Sequence, residues 1–277
     1  MARLDGKVAF ITGAARGQGR SHALRMAEEG ADIIGVDLCA PIDSITAYDF
    51  PTTADLEETA RMVEALDRRC VVRQGDVRDT ASLTAAVEAG VAELGHLDVV
   101  VANAGIFSLG STLEIDEQQW QDVIDVNLTG VWKTVKAALP AIRRGGNGGS
   151  IVLISSLAGH KGVPNTAHYA ATKHAVIGLT RVFANEFAPE FIRANCISPN
   201  SVDTPMIQNE ATYKLFAPDV EHPQQADVVD AFASLNALPV PFLDARDISN
   251  AVVYLASDEA RYVTGSVLNV DAGAAAK

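Results

Sequence analysis

The sequence predicts an α/β fold in which one doubly wound parallel sheet of about seven strands carries helices on both faces. Short, β-branched apolar runs recur along the chain, and stretches with apolar residues every three or four positions separate most of them. Such alternation of strands and helices is typical of parallel sheets. The run 99–102 is apolar throughout, which suits a strand buried on both faces.

The predicted strands span residues 8–12, 33–36, 71–74, 99–102, 151–155, 195–198 and 267–270. The predicted helices span residues 19–29, 56–66, 82–94, 116–142 and 170–188. Two segments, 38–53 and 201–246, are rich in proline or polar residues and break the alternation. The second follows the sixth strand, at the carboxyl edge where such sheets bind ligands, so we expect a substrate lid there.

Composition narrows the class of protein. The chain has 277 residues, 48% of them hydrophobic, and lacks a linker, so we expect one domain over residues 1–277. We find no signal peptide and no stretch of transmembrane length, which predicts a cytoplasmic protein. A net charge of -13 disfavours nucleic acid and anionic membranes as partners. Cys39, Cys70 and Cys196 have no metal-ligand spacing, so we expect no metal.

A glycine-rich turn follows the first strand and opens a helix, the context in which such turns bind nucleotides. Gly13 permits the tight turn, and Gly17 and Gly19 let the backbone approach a pyrophosphate. Arg16 and Gln18 lie in the same turn. This pattern predicts a dinucleotide at the amino end of the helix, as in a Rossmann-type fold.

Asp37 ends the second strand, where a carboxylate can bind the ribose diol of adenosine and repel a 2′-phosphate. Arg16 points to the other cofactor, NADP, because its guanidinium could pair with the 2′-phosphate. Leu38 offers no second cation. The sequence therefore predicts NAD as the cofactor.

The third and fourth strands also end in residues suited to the cofactor. Asp76, followed by Val77, can accept a hydrogen bond from the adenine amino group. Asn103, Ala104 and Gly105 fit a floor that tolerates little side-chain bulk. We expect all five residues beside the glycine-rich turn.

Tyr169 and Lys173 are one helical turn apart, so the ammonium can lie near the phenol and favour its ionised form. Ser155 and Ser156 end the fifth strand and can face the same cleft. Asn127 lies in an apolar stretch, where its buried amide needs a hydrogen-bond partner. A phenol, an ammonium and a hydroxyl beside a nicotinamide predict an alcohol dehydrogenase.

From about residue 6 to residue 273 the chain resembles a classical short-chain dehydrogenase/reductase. The motifs that carry the resemblance are the glycine turn of residues 12–19, Asp76, Asn103–Gly105, Asn127, Ser156, Tyr169 and Lys173. The resemblance implies that Tyr169 exchanges the alcohol proton and that Lys173 binds the nicotinamide ribose and lowers the phenol's pKa. It selects Ser156 over Ser155 for the substrate oxygen, assigns Asn127 to a proton relay, and implies a homotetramer.

The segment 199–204 resembles the part of this family that binds the nicotinamide carboxamide, through the Val202 backbone and the Thr204 hydroxyl. The usual glycine after Pro199 is Asn200 here. Because asparagine tolerates left-handed geometry, we expect the turn to survive.

An insertion of about a dozen residues around 39–53 resembles the carveol-dehydrogenase-like, mycofactocin-associated branch. That resemblance implies a bound NAD that a separate redox carrier reoxidises. Our hypothesis is that residues 40–52 fold over the adenine end and slow the release of NAD.

The sequence therefore predicts NAD-dependent oxidation of a secondary alcohol, on a hydrophobic cyclic or terpenoid substrate such as carveol. Apolar residues of the predicted lid motivate that substrate: Met206, Leu215, Phe216, Phe232, Leu235, Leu238, Phe242 and Leu243. His160 and His168 are candidates for substrate contact. The alternatives are an NADP-dependent ketoacyl or other carbonyl reductase and a noncatalytic dinucleotide-binding protein.

Overall fold

Seven parallel strands form the sheet at the centre of the computed structural model, which describes residues 2–277. In chain order they are β1 (Val8–Thr12), β2 (Asp32–Asp37), β3 (Cys70–Gln74), β4 (Val99–Ala102), β5 (Gly149–Ile154), β6 (Ile192–Pro199) and β7 (Val267–Val270). Their order in the sheet is β3-β2-β1-β4-β5-β6-β7. The strand order reverses between β1 and β4, which creates the crevice where such sheets bind ligands. The predicted fold class is confirmed.

Helices connect these strands, and the structure has three helices near the carboxyl end that were not predicted. The helices are α1 (Gly17–Glu28), α2 (Thr53–Glu64), α3 (Thr80–Leu94), α4 (Glu117–Ile124), α5 (Gly130–Gly145), α6 (Ala167–Phe187), α7 (Glu210–Lys214), α8 (Gln225–Leu235) and α9 (Ala245–Ala256). Helices α7 and α8 lie in the segment 201–246. Helix α9 was not predicted, although Ile248, Val252 and Leu255 recur at helical spacing and are buried.

The two faces of the sheet support separate hydrophobic cores. Helices α1, α2 and α9 cover one face, and α3, α5 and α6 cover the other. The alternation of side chains along β1 places Phe10 in one core and Ile11 in the other, both fully buried. The continuous apolar runs of the central strands thus follow from burial on both sides.

The predicted helix 116–142 is interrupted. A π-helical turn, Asp125–Thr129, separates α4 from α5 and contains Asn127. Such turns hold an extra residue and occur frequently at functional sites. The interruption therefore marks the part of this helix that contributes to the site.

The two segments that break the alternation pack differently. Residues 38–52 have no helix or strand, but Ile42 and Ile45 are buried against one core of the sheet. The segment 201–246 has a small core of its own, formed by Tyr213, Val228 and Phe232. Within residues 2–277, no helix has the length and apolarity that crossing a membrane requires.

Candidate active site

The glycine-rich turn lies between β1 and α1 at the reversal of the strand order. A Cβ atom on Gly19 would lie 1.9 Å from the carbonyl oxygen of Gly13, so no side chain fits there. Gly13 itself has a left-handed φ of 70°. Side chains cap the amino ends of α2, α3, α4 and α9, whereas none in residues 2–277 caps α1. The free N–H groups and the positive helix end suit a phosphate.

Asp37 faces this turn from the end of β2. One of its carboxylate oxygens accepts a 3.0 Å hydrogen bond from the backbone N–H of Ala15, and the other accepts one of 3.3 Å from Cys39. Burial raises the pKa of Asp37, and these backbone donors oppose that shift. The carboxylate is thus fixed at the adenosine end, where the remaining lone pairs can accept from a ribose diol.

Arg16 is engaged by the insertion. Its guanidinium donates to the backbone carbonyl of Asp49, across the opening of the cleft. This contact gives the guanidinium a structural role that does not involve a 2′-phosphate. The contact with Asp49 therefore explains the presence of Arg16 without a role in binding NADP.

Asp76 accepts hydrogen bonds from the backbone and side chain of Arg78, with a side-chain contact of 2.8 Å, so much of its carboxylate is already occupied. At the end of β4, the Asn103 side chain donates to the carbonyl of Thr12 at 2.9 Å. Asn103 therefore ties the floor of the cleft to β1. Val77 also lines the cleft.

These elements enclose one cleft with an empty volume of about 1110 Å³, including its part open to solvent. All the cofactor residues named from the sequence line it except Val202, which is buried beside it: Gly13, Arg16, Gly17, Gln18, Gly19, Asp37, Leu38, Asp76, Val77, Asn103, Ala104, Gly105, Tyr169, Lys173 and Thr204. Sequence reasoning missed four insertion residues that also line it, Ile42, Tyr48, Phe50 and Pro51. Their signal was an isoleucine and two aromatic residues in an insertion without helical or strand periodicity.

Tyr169 lies in the first turn of α6 with its phenol in the cleft. The ring of Phe107 meets it edge-on, with 4.9 Å between ring centres. Burial raises the pKa of Tyr169, and a hydrogen bond with Ser156 acts in the opposite direction.

Lys173 is buried one turn further along α6. Its ammonium lies 5.5 Å from the centre of the Tyr169 ring and donates a 2.9 Å hydrogen bond to the carbonyl of Ile154. Burial lowers the pKa of Lys173 to about 8. The position of this ammonium beside the phenol is consistent with the expected influence of Lys173 on Tyr169.

The two serines at the end of β5 have different environments. The Ser155 hydroxyl is buried and donates to the backbone carbonyl of Lys173 at 2.8 Å. The Ser156 hydroxyl accepts from the backbone N–H of Ala158 at 3.2 Å. Ser155 thus holds the helix and also lines the cleft, whereas Ser156 is not among the lining residues.

Asn127 is fully buried behind the cleft. Its side-chain oxygen accepts from the N–H of Ile106 and its side-chain nitrogen donates to the carbonyl of the same residue, both at 2.8 Å. These two bonds give the buried amide of Asn127 the hydrogen-bond partners that it needs. They also fix the loop after β4, which contains Phe107.

The segment after β6 lies over the glycine-rich turn. A Cβ atom on Gly17 would be 3.4 Å from the methyl group of Thr204. The left-handed residue is Ser201, with a φ of 43°, and not Asn200, so the reason given for tolerating Asn200 was wrong. Asn200 instead donates a 2.8 Å hydrogen bond to Asn236 at the end of α8.

The lid residues proposed for an apolar pocket are mostly occupied elsewhere. Phe216, Phe232 and Phe242 pack on each other, with ring centres 4.3 and 4.8 Å apart. Leu215, Leu235 and Leu238 are exposed. Leu243 packs against the core that α1, α2 and α9 cover, and Met206 lines the cleft. Neither histidine candidate lines the cleft, since His168 is fully buried against Ser108 and the exposed His160 contacts Ser198.

The residues present fit a dinucleotide. The uncapped turn suits its phosphates, Asp37 suits its adenosine ribose, and Lys173 suits its second ribose. Gln18 also lines the cleft, and its side-chain oxygen is buried without a hydrogen-bond partner within residues 2–277. Within the same range, no group of three or more His, Cys, Asp or Glu side chains could hold a metal ion.

Comparisons with known proteins agree with this geometry. The family model described as "Enoyl-(Acyl carrier protein) reductase" matches residues 13–275. The (-)-trans-carveol dehydrogenase of Rhodococcus erythropolis is 51% identical over 100% of both chains. The crystal structure of carveol dehydrogenase from Mycobacterium avium in complex with NAD has a TM-score of 0.98 and 55% identity, covering 100% of both chains. A short chain dehydrogenase from Mycobacterium paratuberculosis bound to NAD has a TM-score of 0.91 and 45% identity, covering 99% of this chain and 100% of that one.

Proposed function

Because the chain belongs to the short-chain dehydrogenase/reductase family, we propose that it oxidises a secondary alcohol to a ketone with NAD as the hydride acceptor. One observation carries the proposal. Tyr169 and Lys173 lie one helical turn apart in a glycine-rich cleft, with 5.5 Å between the ammonium and the centre of the phenol ring, and Ser156 follows strand β5 beside them.

The roles of these residues follow from their chemistry. NAD supplies the acceptor for the hydride that leaves the carbinol carbon. Ser156 donates a hydrogen bond to the substrate oxygen and stabilises the negative charge that develops there. Tyr169 takes the hydroxyl proton, and the same phenol returns it in the reductive direction. Lys173 holds a positive charge near the phenol and binds a ribose hydroxyl, and Asn127 holds the loop that packs on Tyr169.

The proposed substrate is a hydrophobic cyclic alcohol of the carveol type. A relative that is 51% identical over its whole length is named for that alcohol. Ile106, Ile154 and Met206 add apolar surface to the cleft around Tyr169. A substrate bound against these side chains needs a few polar contacts only, which Tyr169 and Ser156 supply.

We also propose that NAD stays bound between turnovers and that a separate redox carrier, of the mycofactocin type, reoxidises it. The support is the position of residues 40–52, which the Arg16–Asp49 contact and a 2.7 Å hydrogen bond from Ser44 to Asp122 hold beside the adenosine end. Release of the cofactor would require these contacts to open. Nucleotide-free protein after purification, together with fast turnover of added NAD, would contradict this proposal.

The proposed assembly is a homotetramer in the cytoplasm, formed through α5 and α6. Trp132 on α5 and Val182 on α6 leave 41% and 48% of their surfaces exposed, which supports burial against another copy. Light scattering combined with size-exclusion chromatography checks the assembly. A monomer at micromolar concentration would contradict it.

Two measurements test the proposed activity. Mass spectrometry of the nucleotide released by denaturation identifies the cofactor. A panel of cyclic secondary alcohols, primary alcohols and small polyols, assayed with an artificial electron acceptor, then identifies the substrate class. We expect NAD and a preference for cyclic secondary alcohols. Activity on small polyols with none on any cyclic alcohol would remove the proposed substrate.

The two alternative functions make different predictions. An NADP-dependent carbonyl reductase requires a higher kcat/KM with NADPH than with NADH, which the carboxylate of Asp37 opposes. A noncatalytic dinucleotide-binding protein requires that no alcohol or ketone be converted. The arrangement of Tyr169, Ser156 and Lys173 supports catalysis instead.

A further inference from the structure

The insertion reaches the catalytic tyrosine as well as the adenosine end of the cleft. The hydroxyl oxygen of Tyr48 accepts a 3.0 Å hydrogen bond from the backbone N–H of Phe107. The ring of Phe107 meets Tyr169 edge-on at 4.9 Å, with an angle of 82° between the ring planes. Two contacts therefore connect residue 48 of the insertion with the phenol that exchanges the proton.

The loop that contains Phe107 is attached to the start of α6 by further contacts. The Ser108 hydroxyl lies 2.7 Å from a ring nitrogen of His168, and both side chains are buried. The backbone N–H of Gly110 donates to the carbonyl of Asn165 at 3.0 Å. A displacement of this loop would therefore be transmitted to the turn of α6 that holds Tyr169.

Tyr48 is itself held in place. Its ring stacks on Phe50 with 5.7 Å between ring centres. The neighbouring Asp49 carbonyl accepts from Arg16, and burial raises the pKa of Tyr48 to about 12. The phenol stays neutral at physiological pH and keeps both its position and its accepting lone pair.

From these contacts we propose that Tyr48 is a positioning residue for catalysis. When residues 40–52 close over the cleft, Tyr48 fixes Phe107, and Phe107 fixes the orientation of Tyr169. This inference rests on the proposed function, because it assigns Tyr48 to the proton-transfer step of that reaction. The insertion would then couple closure over the cofactor to formation of the competent site.

Tyr48→Phe tests the proposal, because it removes the accepting hydroxyl and keeps the ring on Phe50. Tyr262→Phe is the matched control, since that tyrosine is 86% exposed. We expect kcat for the oxidation to fall about tenfold in Tyr48→Phe, the size expected for one buried hydrogen bond. KM for the alcohol and the nucleotide content after purification should stay near those of the wild type, and the control should match the wild type throughout.

A double-mutant cycle separates positioning from simple packing. Phe107→Leu removes the contact with Tyr169 while keeping the N–H that bonds to Tyr48. If Tyr48 acts through Phe107, adding Tyr48→Phe to Phe107→Leu should lower kcat by less than twofold. Additive losses, or an unchanged kcat with faster nucleotide loss in Tyr48→Phe, would overturn the proposal in favour of a purely structural role.

Hydrogen–deuterium exchange gives a readout that does not need turnover. In Tyr48→Phe, peptides covering Phe107 and the start of α6 should exchange faster, while peptides covering α9 should not change. Unchanged exchange at both sites would also overturn the proposal. If wild-type protein oxidises no secondary alcohol, the proposed function fails, and the exchange measurement still reports whether Tyr48 fixes the loop.

Discussion

The ammonium of Lys173 and the phenol of Tyr169 share one face of α6, with 5.5 Å between the nitrogen and the ring centre. The carbonyl of Ile154 at the end of β5 holds the lysine through a 2.9 Å hydrogen bond. The charge is therefore anchored to the sheet, and the phenol has a fixed cationic neighbour.

Tyr169→Phe should lower kcat for alcohol oxidation by about 10²- to 10⁴-fold, because it removes the proton acceptor. Since burial raises the pKa of Tyr169, oxidation by the wild type should accelerate as pH rises through the alkaline range. Steady-state rates from pH 6 to pH 10 check both points. Turnover within twofold of the wild type would show that Tyr169 is not the proton acceptor.

Ser156→Ala and Ser155→Ala should have separable effects. The first should lower kcat by about 10²-fold or more, because it removes the donor to the substrate oxygen, and should cost about 1 kcal/mol of stability, because the Ala158 N–H loses its acceptor. The second should mainly lower stability, by about 1 kcal/mol, because the Lys173 carbonyl loses its hydrogen bond. Kinetics and thermal unfolding of both variants test this, and a larger kcat loss in Ser155→Ala would reverse the assignment.

Asp37→Asn should raise the kcat/KM for NADP relative to NAD by about tenfold, because a 2′-phosphate no longer meets a carboxylate. Arg16→Ala should leave the ratio unchanged and accelerate nucleotide loss, because its guanidinium holds the Asp49 carbonyl. Measurements on both variants after exchange into each cofactor distinguish these roles. A loss of NADP use in Arg16→Ala would restore its role in phosphate binding.

Asn200→Gly restores the residue usual in this family and removes the 2.8 Å bond to Asn236. We expect KM for the alcohol to rise several-fold while nucleotide content stays constant, because the lid loses its tie to the segment after β6. Asn236→Ala should behave similarly, and the double variant should lose little more than the worse single one. Independent, additive effects would contradict a shared contact.

His22 provides a test of stability against pH. Burial lowers the pKa of His22 to about 3 in the folded protein, whereas an unfolded histidine keeps its usual value near 6.5. Between these values the unfolded chain binds a proton that the folded protein does not, so folding weakens as pH falls below about 6.5. The loss from this group approaches about 1.4 kcal/mol per pH unit.

Urea unfolding of wild type and His22→Gln between pH 7 and pH 4 measures that slope. The wild type should lose more stability per pH unit than the variant, and above pH 7 the two curves should run parallel. Equal slopes below pH 6 would show that His22 does not contribute in this way.

Much of the fold followed from sequence because each central strand is buried on both faces, which produces runs such as Val99–Ala102. The glycine-rich turn and Tyr169 were also accessible, since both depend on local spacing. Contacts between distant segments were not. Nothing in the sequence pairs Tyr48 with Phe107, or Asn200 with Asn236, because these bonds depend on loop conformations that no periodic pattern encodes.

The lid segment, residues 201–246, shows a second limit of prediction from sequence. Its apolar residues suggested a pocket wall, yet Phe216, Phe232 and Phe242 stabilise the lid by packing on each other. Composition indicates that apolar side chains need burial, but it does not indicate which surface buries them. Of the apolar residues named in this segment, Met206 lines the cleft.

The π-helical turn at Asp125–Thr129 has a consequence for how this chain tolerates changes in length. Deleting one residue there would close the turn to regular α-helical pitch, leave α4 and α5 in about the same relative orientation, and shift the residues of the turn itself. Asn127 would then move away from Ile106, although the sequence would keep every residue that lines the cleft. Redesigns that idealise this helix should therefore keep the supernumerary residue.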